Sequence, residues 1–165
     1  MTIVTGNIHV GKTTIIKNTS QSYIIWDEWF EKSLKTKSLQ DIVLQCVPIE
    51  YTEHVFLLKK YLAITPNVFK NVCQLSAPVF RELAAQYQLI EIPAHVVSYI
   101  AESNDKILVL TPPKTDEWIS TIVNIRKCND SQAVNIINSV ESIINTLSKS
   151  FDMQYCNSED FANCI

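Results

Sequence analysis

The run Gly6-Asn7-Ile8-His9-Val10-Gly11-Lys12-Thr13-Thr14 limits what this chain can fold into more than any other stretch. Two glycines with four residues between them, followed by Lys and Thr, make the phosphate-binding loop pattern. Its flanks supply the context the pattern needs. Thr2-Ile3-Val4-Thr5 reads as a short buried strand, and Thr13-Thr14-Ile15-Ile16-Lys17 can open a helix. In such a strand-loop-helix unit the loop N–H groups turn inward and the helix N-terminus adds a partial positive charge. Lys12 then reaches the β and γ phosphates, and the Thr13 hydroxyl is placed to ligate Mg²⁺. The chain has 2 glycines in 165 residues, both in this motif, where ordinary usage of ~7% would supply about a dozen. Gly6 to Thr14 are therefore the candidate nucleotide-binding residues, with Thr13 the candidate metal ligand.

A chain of 165 residues with 47% hydrophobic content supports one good core, so a single domain over 1–165 is expected. The 14 basic and 17 acidic side chains are interspersed, for a net charge of −3. No basic run tracks a nucleic-acid backbone, and nucleic acid is not an expected partner. No apolar run approaches the ~20 residues that cross a bilayer, and the first residues lack a charged then apolar leader, so no membrane association and a cytoplasmic location are expected. Five scattered cysteines without a C-x-x-C pair read as reduced and structural. His9, His54 and His95 are too dispersed to suggest a metal site.

Along the chain, strands are expected at 2–5, 23–26, 68–75, 106–111 and 151–156. Helices are expected at about 12–18, 29–34, 39–47, 50–64, from Ser76 as N-cap to Gln88, from Pro93 to Glu102 and from Lys114 to Arg126. A further helix carries the stripe Val134, Ile137, Val140, Ile144 and Leu147. Short apolar strands alternating with helices predict an α/β fold, a five-stranded parallel sheet with helices on both faces. Tyr23-Ile24-Ile25-Trp26 runs directly into Asp27-Glu28, acids at a carboxyl strand end where open α/β sheets build their ligand crevice. The same acids also suit the start of a helix. Of the two arginines, Arg81 sits inside an expected helix and reads as a solvated surface residue. Arg126, at a helix end beside a polar break, is either a cation for the phosphates or a favourable charge at a helix C-terminus. Gln45 is a weak candidate for reading a base edge.

With Gly6-Asn7-Ile8 at the head of the loop, the sequence resembles the deoxynucleoside kinase family, including viral thymidine kinases, within the P-loop kinases. The resemblance implies a three-layer P-loop kinase fold, ATP as phosphate donor with Mg²⁺, and a deoxynucleoside as acceptor. It also implies a homodimer, the state common in the family. The apolar strand ending in Asp27-Glu28 and followed by Trp29 is similar to the family's second strand, which ends in Glu-Pro and supplies the base for the nucleoside 5′-hydroxyl. Here there is no Pro, and either acid fits, with Glu28 preferred. Gln74-Leu75-Ser76 falls where the family has an acid-Arg-Ser triplet, of which only Ser remains. The segment from Lys106 to Lys127 resembles the family's fourth strand and the helix leading to its lid, but carries only Arg126 and Lys127.

Three functions fit these residues. The first is an ATP-dependent deoxynucleoside kinase, using Lys12, Arg126 and a base at Asp27 or Glu28. The second is a nucleoside monophosphate kinase such as a thymidylate kinase, which would need further basic residues near the acceptor phosphate. The third is a nucleotide-binding protein without catalysis.

Overall fold

Strand β1 (Thr2–Gly6) lies at the centre of a sheet in the computed structural model, which describes all of residues 1–165. It pairs with β3 (Leu89–Glu91) on one side and β4 (Lys106–Leu110) on the other, and β2 (Tyr23–Ile25) and β5 (Met153–Cys156) form the edges. The order is β2-β3-β1-β4-β5, and all pairings are parallel.

Register and side-chain alternation make the layers. Ile3 stands opposite Ile90 and Ile107, and these three join one core with Trp26, Phe30, Val72 and Phe80. Their neighbours Val4, Leu89, Leu108 and Leu110 join a second core with Ile16, Trp118, Ile122 and Phe161. With both faces covered, each strand must be apolar at successive positions, which is why the strands read as continuous rather than alternating runs. The first core takes α2 (Trp26–Leu34), α3 (Lys37–Cys46), α4 (Val55–Ile64), α5 (Pro66–Ala84) and α6 (Ala94–Ile100). The second takes α1 (Lys12–Lys17), α7 (Thr115–Arg126) and α9 (Phe161–Cys164). Helix α8 (Asp130–Leu147) serves both, with Ala133 and Ile137 in the second core and Ile144 and Leu147 in the first. It starts with a reciprocal cap: the Asn129 side chain accepts from the Gln132 N–H at 2.8 Å, and the Gln132 side chain accepts from the Asn129 N–H at 3.0 Å. Phe80 and Phe161 are fully buried, and truncating either to Ala would cost about 3–5 kcal/mol. No helix is long and apolar enough to cross a membrane.

The five-stranded parallel sheet is as expected, but the third strand is not where the sequence placed it. Val68 to Leu75 lies inside α5, whose buried Val72, Cys73, Ser76, Ala77, Phe80 and Ala84 follow helical spacing. Pro66 starts that helix, and Pro78 sits within it on the exposed side, where its missing N–H costs one bond to the Gln74 carbonyl. Ser76 is not an N-cap; its hydroxyl donates to the Cys73 carbonyl at 3.2 Å. The triplet Gln74-Leu75-Ser76 is thus mid-helix. The third strand is Leu89–Glu91, buried at every position between β1 and β2. Helix α2 begins at Trp26, directly after β2, and the expected helix over 50–64 is a 3₁₀ turn (Ile49–Tyr51) followed by α4.

Arg81 is not a solvated surface residue. Its guanidinium donates to both Asp105 carboxylate oxygens at 2.7 and 3.3 Å, to Glu102 at 3.0 Å and to the Ile100 carbonyl at 3.1 Å. The five cysteines are free, and Cys73, buried in α5, has its thiol pushed up to about 12 by desolvation.

Candidate active site

The order of the strands reverses at β1, so a crevice opens beyond the carboxyl ends of β1, β3 and β4, the place where open α/β sheets bind ligands. The loop from Gly6 to Gly11 fills its floor, and both glycines are needed there. Gly6 has φ 152°, and a Cβ on it would stand 2.8 Å from the Leu110 carbonyl oxygen. Gly11 has φ 90° and leads into α1. The loop is pinned from two helices. Trp118 of α7 donates its indole N–H to the Ile8 carbonyl at 2.8 Å. The buried Asn7 amide donates to the Ile137 carbonyl at 3.1 Å and to Glu141 at 2.9 Å, both on α8, and its oxygen accepts from the Ile8 N–H at 2.8 Å. Lys12 folds over the loop, its ammonium donating to the Gly6 and Asn7 carbonyls.

A cavity of about 410 Å³ covers this loop, and Asp27, Glu91, His95 and Arg126 complete its walls. Thr13, at the start of α1, donates its hydroxyl to the Glu91 carboxylate, with 3.0 and 2.9 Å to the two oxygens. Burial pushes the Glu91 carboxyl above its ordinary value, although the Thr13 hydroxyl and Lys12 pull the other way. Burial lowers Lys12, against the opposing pull of Glu91 and Asp27. Asp27 keeps one side open to solvent, yet the protein around the cleft desolvates its carboxyl and raises it, with His95 and Lys12 opposing. The Thr13 hydroxyl and the Glu91 carboxylate are hard oxygen donors beside the glycine loop. They fit Mg²⁺, which takes one or two protein oxygens and completes its shell with phosphate and water.

Next to this cleft lies a second cavity of about 570 Å³, and Asp27 and His95 border both. Its walls are aromatic and aliphatic: Trp26, Phe30, Leu34, Leu62 and Phe69. Trp26 and Phe30 stack at 4.5 Å, Phe69 meets them edge-on at 6.2 and 6.0 Å, and His95 stacks on Phe69 at 5.8 Å. The one Lys on this wall, Lys59, is paired with Glu31 at 3.3 Å.

Of the residues singled out in the sequence, Gly6, Ile8, His9, Val10, Gly11, Lys12, Thr13 and Thr14 line the first cleft. Asn7 instead faces α8. The adjacent acids separate: Asp27 lines both cavities, whereas Glu28, preferred from the sequence, is not on either wall and pairs with Lys17 at 2.7 Å on the surface. Both belong to the first turn of α2 rather than to the strand end itself. Arg126 reaches the cleft and donates from Nε to His9 Nε2 at 3.2 Å. Gln45 is exposed on α3 and lines neither cavity. Sequence reasoning missed Glu91 and His95. Glu91 had a signal, since Leu89-Ile90-Glu91-Ile92-Pro93 is an apolar run carrying an acid ahead of a proline. For His95 the sequence held none.

No family model and no curated protein matches the chain. Among solved structures it is similar to a dephospho-CoA kinase from Campylobacter jejuni, with TM-score 0.56 and 19% identity over 94% of this chain and 87% of that one. It is also similar to a Thermus thermophilus protein, with TM-score 0.52 and 13% identity over 94% of this chain and 87% of that one. At these identities the likeness is one of fold. The architecture is that of the P-loop kinases: an all-parallel five-stranded sheet, helices on both faces, and the glycine loop after the central strand.

Proposed function

We propose that this chain, acting as one domain over 1–165, is an ATP-dependent deoxynucleoside kinase that transfers the γ-phosphoryl group to the 5′-hydroxyl of a deoxynucleoside. The observation that carries this reading is Asp27, a carboxylate that borders both the cleft over the glycine loop and the aromatic cavity. A nucleoside base laid among Trp26, Phe30 and Phe69 would direct its sugar hydroxyl towards that carboxylate. Asp27 accepts the hydroxyl proton as the oxygen attacks, and its raised affinity for protons suits it to that task. The loop N–H groups and Lys12 hold the triphosphate, and Arg126 stabilises charge on the transferred group. Thr13 and Glu91 would hold Mg²⁺, which when bound neutralises charge shared by the β and γ phosphates.

The acceptor side favours a nucleoside over a nucleotide. Lys59 is already neutralised by Glu31, and the unpaired Asp27 carboxylate would repel an acceptor phosphate. A monophosphate kinase is therefore the weaker reading. The homodimer implied by the resemblance would use the exposed apolar side chains Phe56, Leu57 and Ile64 of α4, and sedimentation of the protein tests it.

The decisive assay offers γ-labelled ATP with Mg²⁺ to a panel of deoxynucleosides, nucleoside monophosphates and dephospho-CoA, with ATP binding measured in parallel. Transfer to one or more deoxynucleosides is expected, with Lys12→Ala losing most ATP affinity while remaining folded. Transfer only to a monophosphate or to dephospho-CoA would reassign the acceptor. ATP binding without transfer to any of them would leave a nucleotide-binding protein.

A further inference from the structure

Arg126 and His9 meet across the phosphate cleft although 117 residues separate them. Arg126 is the last residue of α7, and its Nε–H points at His9 Nε2, 3.2 Å away. The chain has two non-glycine residues with left-handed backbone, His9 at φ 52° and Lys127 at φ 50°. One is the acceptor of this contact, and the other directly follows its donor. A side chain in that region is strained and persists only where its surroundings demand it. At Lys127 the left-handed turn ends α7, so Arg126 sits at the helix terminus. At His9 it sets the imidazole at the loop's edge. Both side chains line the cleft beside Lys12 and Thr13.

We infer that His9 is a positioning residue for Arg126: a neutral imidazole holds the guanidinium by its Nε–H at the rim of the phosphate loop and leaves the Nη groups for the transferred phosphoryl group. The Nη atoms bond to no protein atom, so they are available. The contact itself is a property of the nucleotide-free protein. Only its catalytic consequence rests on the kinase reading above. With a single arginine at the cleft, holding it in place before the triphosphate arrives removes a reorganisation from the reaction.

The contact dictates a protonation state. Nε2 accepts, so the ring proton must be on Nδ1, and an imidazolium cannot accept at all. The charged groups facing His9 are Arg126 from α7 and Lys12 from α1, both positive. Together with burial, the largest influence, they keep the ring neutral by lowering its affinity for protons. The contact should therefore be intact at neutral pH and be lost below the ordinary imidazole value of about 6.5.

Two measurements on the full chain test this. Nitrogen spectra of the His9 imidazole should show the Nδ1–H tautomer in the nucleotide-free protein, and in Arg126→Ala they should shift toward the Nε2–H tautomer with the ring titrating at higher pH. An unchanged tautomer would overturn the inference whatever the enzyme does. In the transfer assay, His9→Ala should lower kcat about tenfold or more while ATP KM stays within about threefold, because the loss falls on a contact made in the transition state. His9→Ala should add nothing to Arg126→Ala. His9→Gln, which retains an acceptor but does not titrate, should restore most of kcat and remove the matching acid limb of its pH profile. Losses that multiply in the double variant, or a KM that rises as far as kcat falls, would reduce His9 to a loop residue. Should the tautomer respond to Arg126→Ala while no acceptor is phosphorylated, the pairing stands and the transfer reading falls.

Discussion

Asp105 at the amino end of β4 and Glu91 at the carboxyl end of β3 are about equally buried, 6% and 4% exposed, yet their carboxyl groups are driven in opposite directions. For Asp105, burial alone would raise the value, but the partners outweigh it and hold it below the usual carboxylate range. Arg81 donates twice, the Glu102 N–H donates at 2.8 Å, and the Met1 amine donates at 3.0 Å. For Glu91, burial prevails over one hydroxyl and one nearby ammonium. A buried acid with a full set of donors is a structural tie. One short of donors, beside a phosphate loop and a second desolvated acid, is suited to a cation that arrives with the ligand. Surface exposure does not distinguish the two carboxyl groups; Glu91 lies in the more desolvating surroundings, and Asp105 has the fuller set of partners.

The largest effect expected from breaking this contrast is at the carboxyl end. Asp27→Asn should lower kcat about 10²–10⁴-fold with little change in ATP affinity, since the base acts on the acceptor hydroxyl. Steady-state transfer and ATP titration check it, and a comparable loss in Glu28→Gln with Asp27→Asn unimpaired would move the base out of the cleft.

At the amino end the loss should be in stability instead. Arg81→Met strands a buried carboxylate and should cost about 3 kcal/mol in denaturant unfolding, the low end for a broken buried pair because the Met1 amine and the Glu102 N–H remain. The folded fraction should keep the parent kcat. A fall in kcat without a fall in stability would contradict the structural role of this network.

Glu91→Gln sharpens the contrast by changing both properties at once. Because folding raises the Glu91 value, its ionised form at neutral pH costs native stability, and that cost is relieved as pH falls through the raised value towards the unfolded one. Glu91→Gln should therefore stabilise the protein at neutral pH, by about 1 kcal/mol, while weakening the Mg²⁺ dependence of ATP binding. Asp105 carries the opposite sign. Its contribution is complete above the unfolded value and is lost as pH falls through its lowered folded value, so acid unfolding should persist in Glu91→Gln. Thermal unfolding across pH, with and without Mg²⁺-ATP, reads both. The smallest effect is Glu28→Gln, which breaks only a surface pair with Lys17 and should leave turnover within about twofold of the parent.

The strand-loop-helix unit was legible because it is local: the positions of its glycines, Lys12 and Thr13 are set by the backbone of neighbouring residues. Strand β4 was legible as an apolar run closed by Pro112-Pro113, and helices α7 and α8 by a periodicity long enough to show. Strand β3 was not, since the acid Glu91 interrupts its short apolar run, and what makes Leu89–Glu91 a strand is its position between β1 and β2. Val68, Phe69 and Val72 favour a strand by type, but packing followed the helical spacing that runs on through Phe80 to Ala84. Adjacent helical residues point about 100° apart, so only the docking of α2 could decide that Asp27 faces the cleft and Glu28 faces Lys17. Glu91 against Thr13, Arg81 against Asp105 and Arg126 against His9 are likewise products of the assembled fold. Sequence by itself determined what neighbouring residues and a repeating period impose. Tertiary structure decided which distant charges meet and which lack partners, because those distances depend on how the layers dock and not on any bond along the chain.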